Sequence, residues 1–189
     1  PHTSAGRVPT EKAYRFYVNS CVQQGKQPAA EARRRISTAV QESHNDPARL
    51  SKALADVLAA LTDHLVITGI VERQDFFKRG LSALFENPEF QLFDNTFRLT
   101  RFFEEFEGLF EQMERELFAG EPINAFRITI GRENPMNDVA NQTVMAAEYP
   151  LPGRLTGSIV IIGPMRMDYR RNVGLLNYTV EEIQKNTKH

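Results

Sequence analysis

The chain has 189 residues and 41% apolar content, enough for one core of ordinary size, and its net charge of -1 singles out no charged partner. One cysteine excludes an internal disulfide framework and fits a reducing, cytoplasmic setting, while no apolar run nears the roughly 20 residues of a membrane span. The even total hides a segregation: residues 1–35 carry seven Lys/Arg against two Glu, and residues 86–121 carry ten Asp/Glu against three Arg. A basic front attracts phosphate and an acidic middle repels it, although solvated helix faces account for the same pattern.

Gly6 and Pro9 punctuate residues 1–9, a loop or the tail of a hairpin. Thr10 is a suitable N-cap for a first helix, "TEKAYRFYVNSCVQQ", on which Tyr14, Tyr17, Val18 and Cys21 share a face. A second helix is predicted from about Pro28 to Ser43. Asp46 caps a third, with Leu50, Leu54, Val57, Leu58 and Leu61 in one stripe. These three are expected to pack together as a helical arm. "LVITGIV" (65–71) is a predicted strand, and "QDFFKRGLSALFENPEF" a predicted helix from about Asp75, stopped by Pro88. A long helix is predicted from about Asp94 to Phe118, striped with Phe102, Phe106, Leu109 and Met113 and widened by Phe103 and Phe110.

After Gly120 the apolar period changes from helical to alternating. Strands are expected at 123–131, 143–150 and 157–164, the last being the most apolar and therefore central. A final helix then turns Met167, Val173, Leu176 and Val180 toward the sheet. The predicted class is α+β: a helical arm followed by a small, mainly antiparallel sheet packed by helices.

Chemistry is sparse. The four His fall in no HExxH or HxH spacing, and a single Cys offers no second thiolate, so neither a metal nor any other cofactor is expected. No phosphate-cradling glycine loop is present, no nucleophile–base pair can be named, and an enzyme is not expected. Two stretches stand out: "GREN" (131–134), leaving a strand, and "GPMRMDY" (163–169), joining the last strand to the last helix. Glu133, Asn134, Gly163, Arg166 and Asp168 form either a polar bracket of helix to sheet or a turn whose free N–H groups hold an anion.

These stretches together resemble the heat-inducible transcription repressor HrcA family. "HTSAGRVPT" and the following "YRFYV" helix match that family's passage out of a winged-helix DNA-binding domain; "NPEF" (87–90) resembles a landmark of its middle region. "GREN" and "GSIVIIGPMRMDY" (157–169) resemble the closing strands and helix of its GAF-like domain. The resemblance implies that residues 1–9 end a winged helix most of which is absent from the chain, and that 10–64 is a helical linker. By the same token 65–121 is a Phe-rich dimerisation region, shorter than the family pattern, and 122–189 the GAF-like C-terminal part. It further implies a repressor of chaperone genes that binds an inverted-repeat operator as a homodimer and depends on the chaperonin GroEL, with no membrane partner.

On that reading Arg7 lies nearest phosphate, helped by His2, Thr3 and Ser4. Twelve of the thirteen Phe fall between Phe76 and Phe126, and Phe102, Phe106 and Phe110 are the expected dimer contacts. The alternative is a GAF-like module that senses a small molecule at the Gly163 turn.

Overall fold

Asp46 starts a helix capped at both ends: its carboxylate accepts the N–H groups of Ala48 and Arg49 at 3.0 and 3.2 Å, and Pro47 fills the first turn. In this computed structural model, which describes residues 9–23, 26–86, 108, 115–116, 118, 126–135 and 137–187, that helix is the third of three. They are α1 (Glu11–Gln23), α2 (Ala30–Ser43) and α3 (Pro47–Thr62). All five residues of the predicted α3 stripe are buried, and Asp63 in the left-handed conformation closes the helix. Ala32, Ile36 and Val40, one turn apart, bury the facing side of α2.

The strands are β1 (Leu65–Ile70), β2 (Asp75–Arg79), β3 (Phe126–Ile130), β4 (Gln142–Leu151) and β5 (Leu155–Pro164), with the short helix α4 (Leu81–Glu86) after β2 and the long helix α5 (Tyr169–Thr187) at the end. They form one antiparallel sheet in the order β2-β1-β5-β4-β3, so β5 is central as its apolar run requires. One face carries Val66, Ile70, Met145, Ala147, Ile159 and Ile161 into a core shared with α2, α3 and α5. Leu65, Ile67, Val144, Ala146, Val160 and Ile162 alternate with these residues and are buried too. Burial on both faces explains why β1 and β5 read as continuous apolar runs rather than alternating ones.

The α+β class and the small antiparallel sheet stand as expected, with two differences. Residues 75–79, expected to be helical, form β2, which pairs with β1 in a hairpin. The Phe spacing there suits either period; Gly80 decides the matter. It adopts φ +82 and packs so closely on His64 that a Cβ would lie 2.1 Å from that carbonyl oxygen, which ends the strand before α4 begins.

The second difference is that the three helices do not stack only on one another. The α3 helix lies on β1 and β2, where Arg79 ion-pairs with Asp56 and the Thr68 hydroxyl donates to Ser51 O at 2.7 Å. The α2 helix bridges α3 and α5 through Ser37 and Tyr178, 2.9 Å apart, whereas α1 packs on α5 and β3. The arm is thus folded onto the sheet as part of its cover. The predicted 94–118 helix lies outside the described residues except at Gly108, Arg115, Glu116 and Phe118, which are helical.

Candidate functional site

The two stretches singled out in the sequence flank the same end of β4, beside Gln142 and Thr143, and tie α1 and α5 to the sheet. At the first, Gly131 takes φ +57 and a short 3-10 turn (Gly131–Glu133) follows β3. Glu133 reaches back to accept the Ile130 N–H at 3.0 Å and receives Arg15 of α1. Arg15 donates Nε at 2.9 Å to one carboxylate oxygen, ion-pairs with the other, and gives a further bond to Ile128 O at 2.8 Å. The fork geometry suits guanidinium and carboxylate. The Arg15 bond holds the Glu133 carboxyl below its ordinary range, against a smaller opposing push from partial burial. One turn earlier, Glu11 accepts the Arg132 N–H at 3.3 Å.

Asn134 is buried and closes the same loop. Its amide nitrogen donates toward three carbonyls, Gly131 O at 2.9 Å, Val139 O at 2.7 Å and Gln142 O at 2.8 Å, and its oxygen accepts the Thr129 hydroxyl. Gly131 O also takes the Asn134 backbone N–H at 3.1 Å, and with four partners on residues 129–142 this side chain organises the passage from β3 to β4.

At the second stretch the β5–α5 turn is filled. A Cβ on Gly163 would lie 2.7 Å from Met167 Cε and 2.9 Å from His64 Cγ, so these two side chains pack directly on the glycine. Asp168 accepts the Arg171 N–H at 3.1 Å and locks the first turn of α5; it does not pair with Glu133. Arg166 is exposed. The buried Tyr169 hydroxyl joins Thr143 Oγ1 at 2.7 Å and donates to Met165 O at 2.8 Å, with the Tyr17 ring of α1 edge-on at 6.2 Å between centroids. Arg171 donates to Leu61 O at 2.6 Å and so ties α5 to the end of α3. The bonds of Glu133, Asn134 and Asp168 fit the bracket reading of these residues. Sequence reasoning named Glu133 and Asn134 but missed Arg15 and Arg171, whose partners lie 118 and 110 residues away.

His64 sits under this turn. Burial lowers its imidazole below the ordinary value of 6.5, the Arg171 charge adds to that, and Asp63 opposes both. A base whose folded pKa is depressed leaves the unfolded chain holding more protons, so the contribution is complete above pH 6.5 and is lost as pH falls below it. The thermal midpoint is therefore expected to drop between pH 7 and pH 5 in the native chain and to drop less in His64→Gln, read by circular dichroism at fixed ionic strength.

Glu72 and Glu148 shift in opposite senses. Burial would raise Glu72, but the N–H and hydroxyl of Thr156, at 2.8 Å each, outweigh it and bring its carboxyl down. Burial and the neighbouring Glu72 charge push Glu148 up. Opposed carboxylates in a cleft would suit general acid–base work. Here the oxygens of Glu72 are occupied by Thr156, and the groove between α2 and α3 is lined by neither carboxylate. Among the described residues no group of three or more His, Cys, Asp or Glu is placed to hold a metal ion, and no helix is long and apolar enough to cross a membrane. Arg7, His2, Thr3, Ser4, Phe102, Phe106 and Phe110 lie outside the described residues.

Residues 13–173, from the first turn of α1 to the first turn of α5, match the family described as HrcA protein C terminal domain. The chain belongs to the HrcA family. Heat-inducible transcription repressors HrcA are among its curated relatives: 28% identical over 145 residues in Halalkalibacterium halodurans, covering 72% of this chain and 40% of that protein. The Syntrophobacter fumaroxidans relative is 26% identical over 172 residues, covering 91% of this chain and 47% of that protein. The chain thus spans less than half the length of these HrcA relatives. A crystal structure of a protein described only as hypothetical superposes with a TM-score of 0.70 over 98% of this chain and 80% of that one, at 15% identity, which establishes the shared fold alone. The fold is the α+β, GAF-like one of the HrcA C-terminal domain.

Proposed function

We propose that this chain is the dimerising and regulatory body of a cytoplasmic repressor of chaperone genes, acting without catalysis. The observation that carries the reading is the HrcA match, which begins within α1 and runs through the whole sheet. Its relatives carry the name heat-inducible transcription repressor. Such a body sets the spacing of two DNA-binding units, and that spacing must fit the two halves of an inverted repeat.

The geometry supplies a route for coupling. Glu11 and Arg15 hold α1 to the loop after β3, so the segment leading out of the "HTSAGRVPT" stretch is anchored to the sheet rather than hinged freely. Arg7, with His2, Thr3 and Ser4, stands four residues before Glu11 in that stretch and is the proposed phosphate contact. Phe102, Phe106 and Phe110 are the proposed dimer contacts, and the same Phe-rich segment is what GroEL would bind when the body loosens on heating.

The test is fluorescence anisotropy of an inverted-repeat operator duplex, titrated with this chain and with the complete reading frame, stepping the salt because phosphate contacts weaken steeply with it. The longer protein is expected to bind, with scrambled duplex competing poorly, and its Phe102→Asp variant to sediment as a monomer and bind at least about tenfold more weakly, a loss of about 1.4 kcal/mol. Failure of the longer protein to bind with GroEL present would overturn the repressor reading. A dimeric Phe102→Asp would remove that residue from the interface.

A further inference from the structure

A groove between two of the helices has no place in the repressor reading. It runs between α2 and α3 as an open groove of about 690 Å³, walled by Arg34 and Arg35 from one helix and Arg49 and Lys52 from the other, with Glu42 and Asp56 as its carboxylates. Two of these six are already engaged: Arg34 is paired with Glu31 at 3.0 Å, and Asp56 with Arg79 of β2. Among the described residues no salt bridge holds Arg35, Arg49 or Lys52, and all three are exposed. What remains is three cations against the single carboxylate of Glu42.

Cations gathered from two helices into one concavity repel each other unless an anion joins them, and the concavity concentrates their field. Two guanidinium groups offer paired donors that match phosphate oxygens, while the Lys52 ammonium adds a point charge. The volume lies within the range of small-molecule sites, and the lining includes small apolar side chains and the buried Val57, against which the body of a ligand can rest. A continuous phosphodiester chain fits less well, because Glu42 stands on the same helix as Arg35 and would face one of its phosphates. We propose that the α2–α3 groove is a binding site for a small, multiply charged phosphate compound. Since α2 and α3 cover the sheet and α2 touches α5, such a ligand would clamp two helices of the body and stabilise it. The inference is independent of whether the chain represses transcription.

The experiment is isothermal titration calorimetry of the whole chain with inorganic pyrophosphate at low ionic strength, repeated with Arg35→Gln/Arg49→Gln and with Arg73→Gln, an exposed cation outside the groove. The native chain is expected to bind and to gain thermal stability on binding. The double variant should bind at least about tenfold more weakly, and Arg73→Gln within about twofold of native. Circular dichroism confirms that the variants are folded, as substitution of exposed side chains should leave them. Absence of pyrophosphate binding, or equal loss in the double variant and Arg73→Gln, overturns the proposal. So does a short DNA duplex whose binding needs Arg35 and Arg49 while pyrophosphate binding does not, which would mark the groove as a nucleic-acid surface instead.

Discussion

Asn134→Asp is expected to destabilise the chain by about 3–5 kcal/mol, the cost associated with leaving a buried charge without a partner. The two side chains have nearly the same shape, so packing is unchanged and only the chemistry differs. The amide nitrogen donates toward Gly131 O, Val139 O and Gln142 O; a carboxylate oxygen in its place points a lone pair, and a charge, at three carbonyl oxygens. The carboxyl would escape by staying protonated, so its folded pKa would lie above its unfolded value of about 3.9. A raised carboxyl pKa is harmless below the unfolded value and increasingly costly as pH rises through the folded one. The deficit of the variant against the native chain should therefore be small near pH 4 and largest at neutral pH. Asn134→Ala, which takes the side-chain donor from these carbonyls without adding charge and leaves Gly131 O its bond from the residue 134 N–H, should cost less, about 2–3 kcal/mol, with no such pH dependence.

Urea unfolding at several pH values checks both variants. A neutral-pH loss under about 0.5 kcal/mol for Asn134→Asp, the scale of an ordinary surface substitution, would mean that other groups satisfy those carbonyls. The outcome reaches beyond stability. The loop that Asn134 organises presents Glu133 to Arg15, and Arg15 anchors α1. Loosening Asn134 should free α1, and with it the junction through which this body would orient a DNA-binding unit.

How far the sequence disclosed this arrangement depends on the range of the interactions. The α3 stripe, the Asp46 cap and the central place of β5 are local patterns: periodicity, a capping residue and a continuous apolar run suffice to find them. β2 was hidden because Phe76, Phe77, Leu81, Leu84 and Phe85 satisfy a helical spacing, and only the strained Gly80 marks the break. "GREN" was visible as an unusual polar exit from a strand, yet nothing local tells Glu133 that its partner is Arg15 on the first helix. The same holds for the α2–α3 groove. Each helix alone shows an ordinary charged face, and only their packing sets Arg34 and Arg35 across from Arg49 and Lys52. Charge totals over residues 1–35 pointed at a basic front, but they stopped short of the α3 cations that complete it.

Gly157 carries the other large effect. It pairs directly with Tyr149 across β4 and β5, and a Cβ there would lie 2.2 Å from Tyr149 Cε2 and 2.3 Å from Cζ, in a region with no exposed surface to yield into. Gly157→Ala is expected to cost about 3 kcal/mol, the upper part of the usual range for forcing atoms into a packed core. The ring carbons are the closer obstacle, with the hydroxyl oxygen at 2.8 Å, and the two can be separated. Burial pushes the Tyr149 hydroxyl far up in pKa; it lies near Ser51 Oγ without hydrogen-bond geometry, and neither atom has another partner. Tyr149→Phe alone should therefore be neutral or stabilising by up to about 1 kcal/mol, since it removes a buried polar atom that gains nothing.

Placed in the Gly157→Ala background, Tyr149→Phe should rescue little, because the ring carbons remain. Tyr149→Val should rescue much of the loss, with a coupling of at least about 1 kcal/mol in a double-mutant cycle read by urea unfolding. Additive losses in that cycle would show that the β4–β5 pair yields by moving backbone rather than by clashing. The strand pair at the centre of the body would then be soft where the close contact says it is rigid. Under the function proposed above, a body that holds two DNA-binding units at a fixed spacing and releases them on heating would need that rigidity at working temperature.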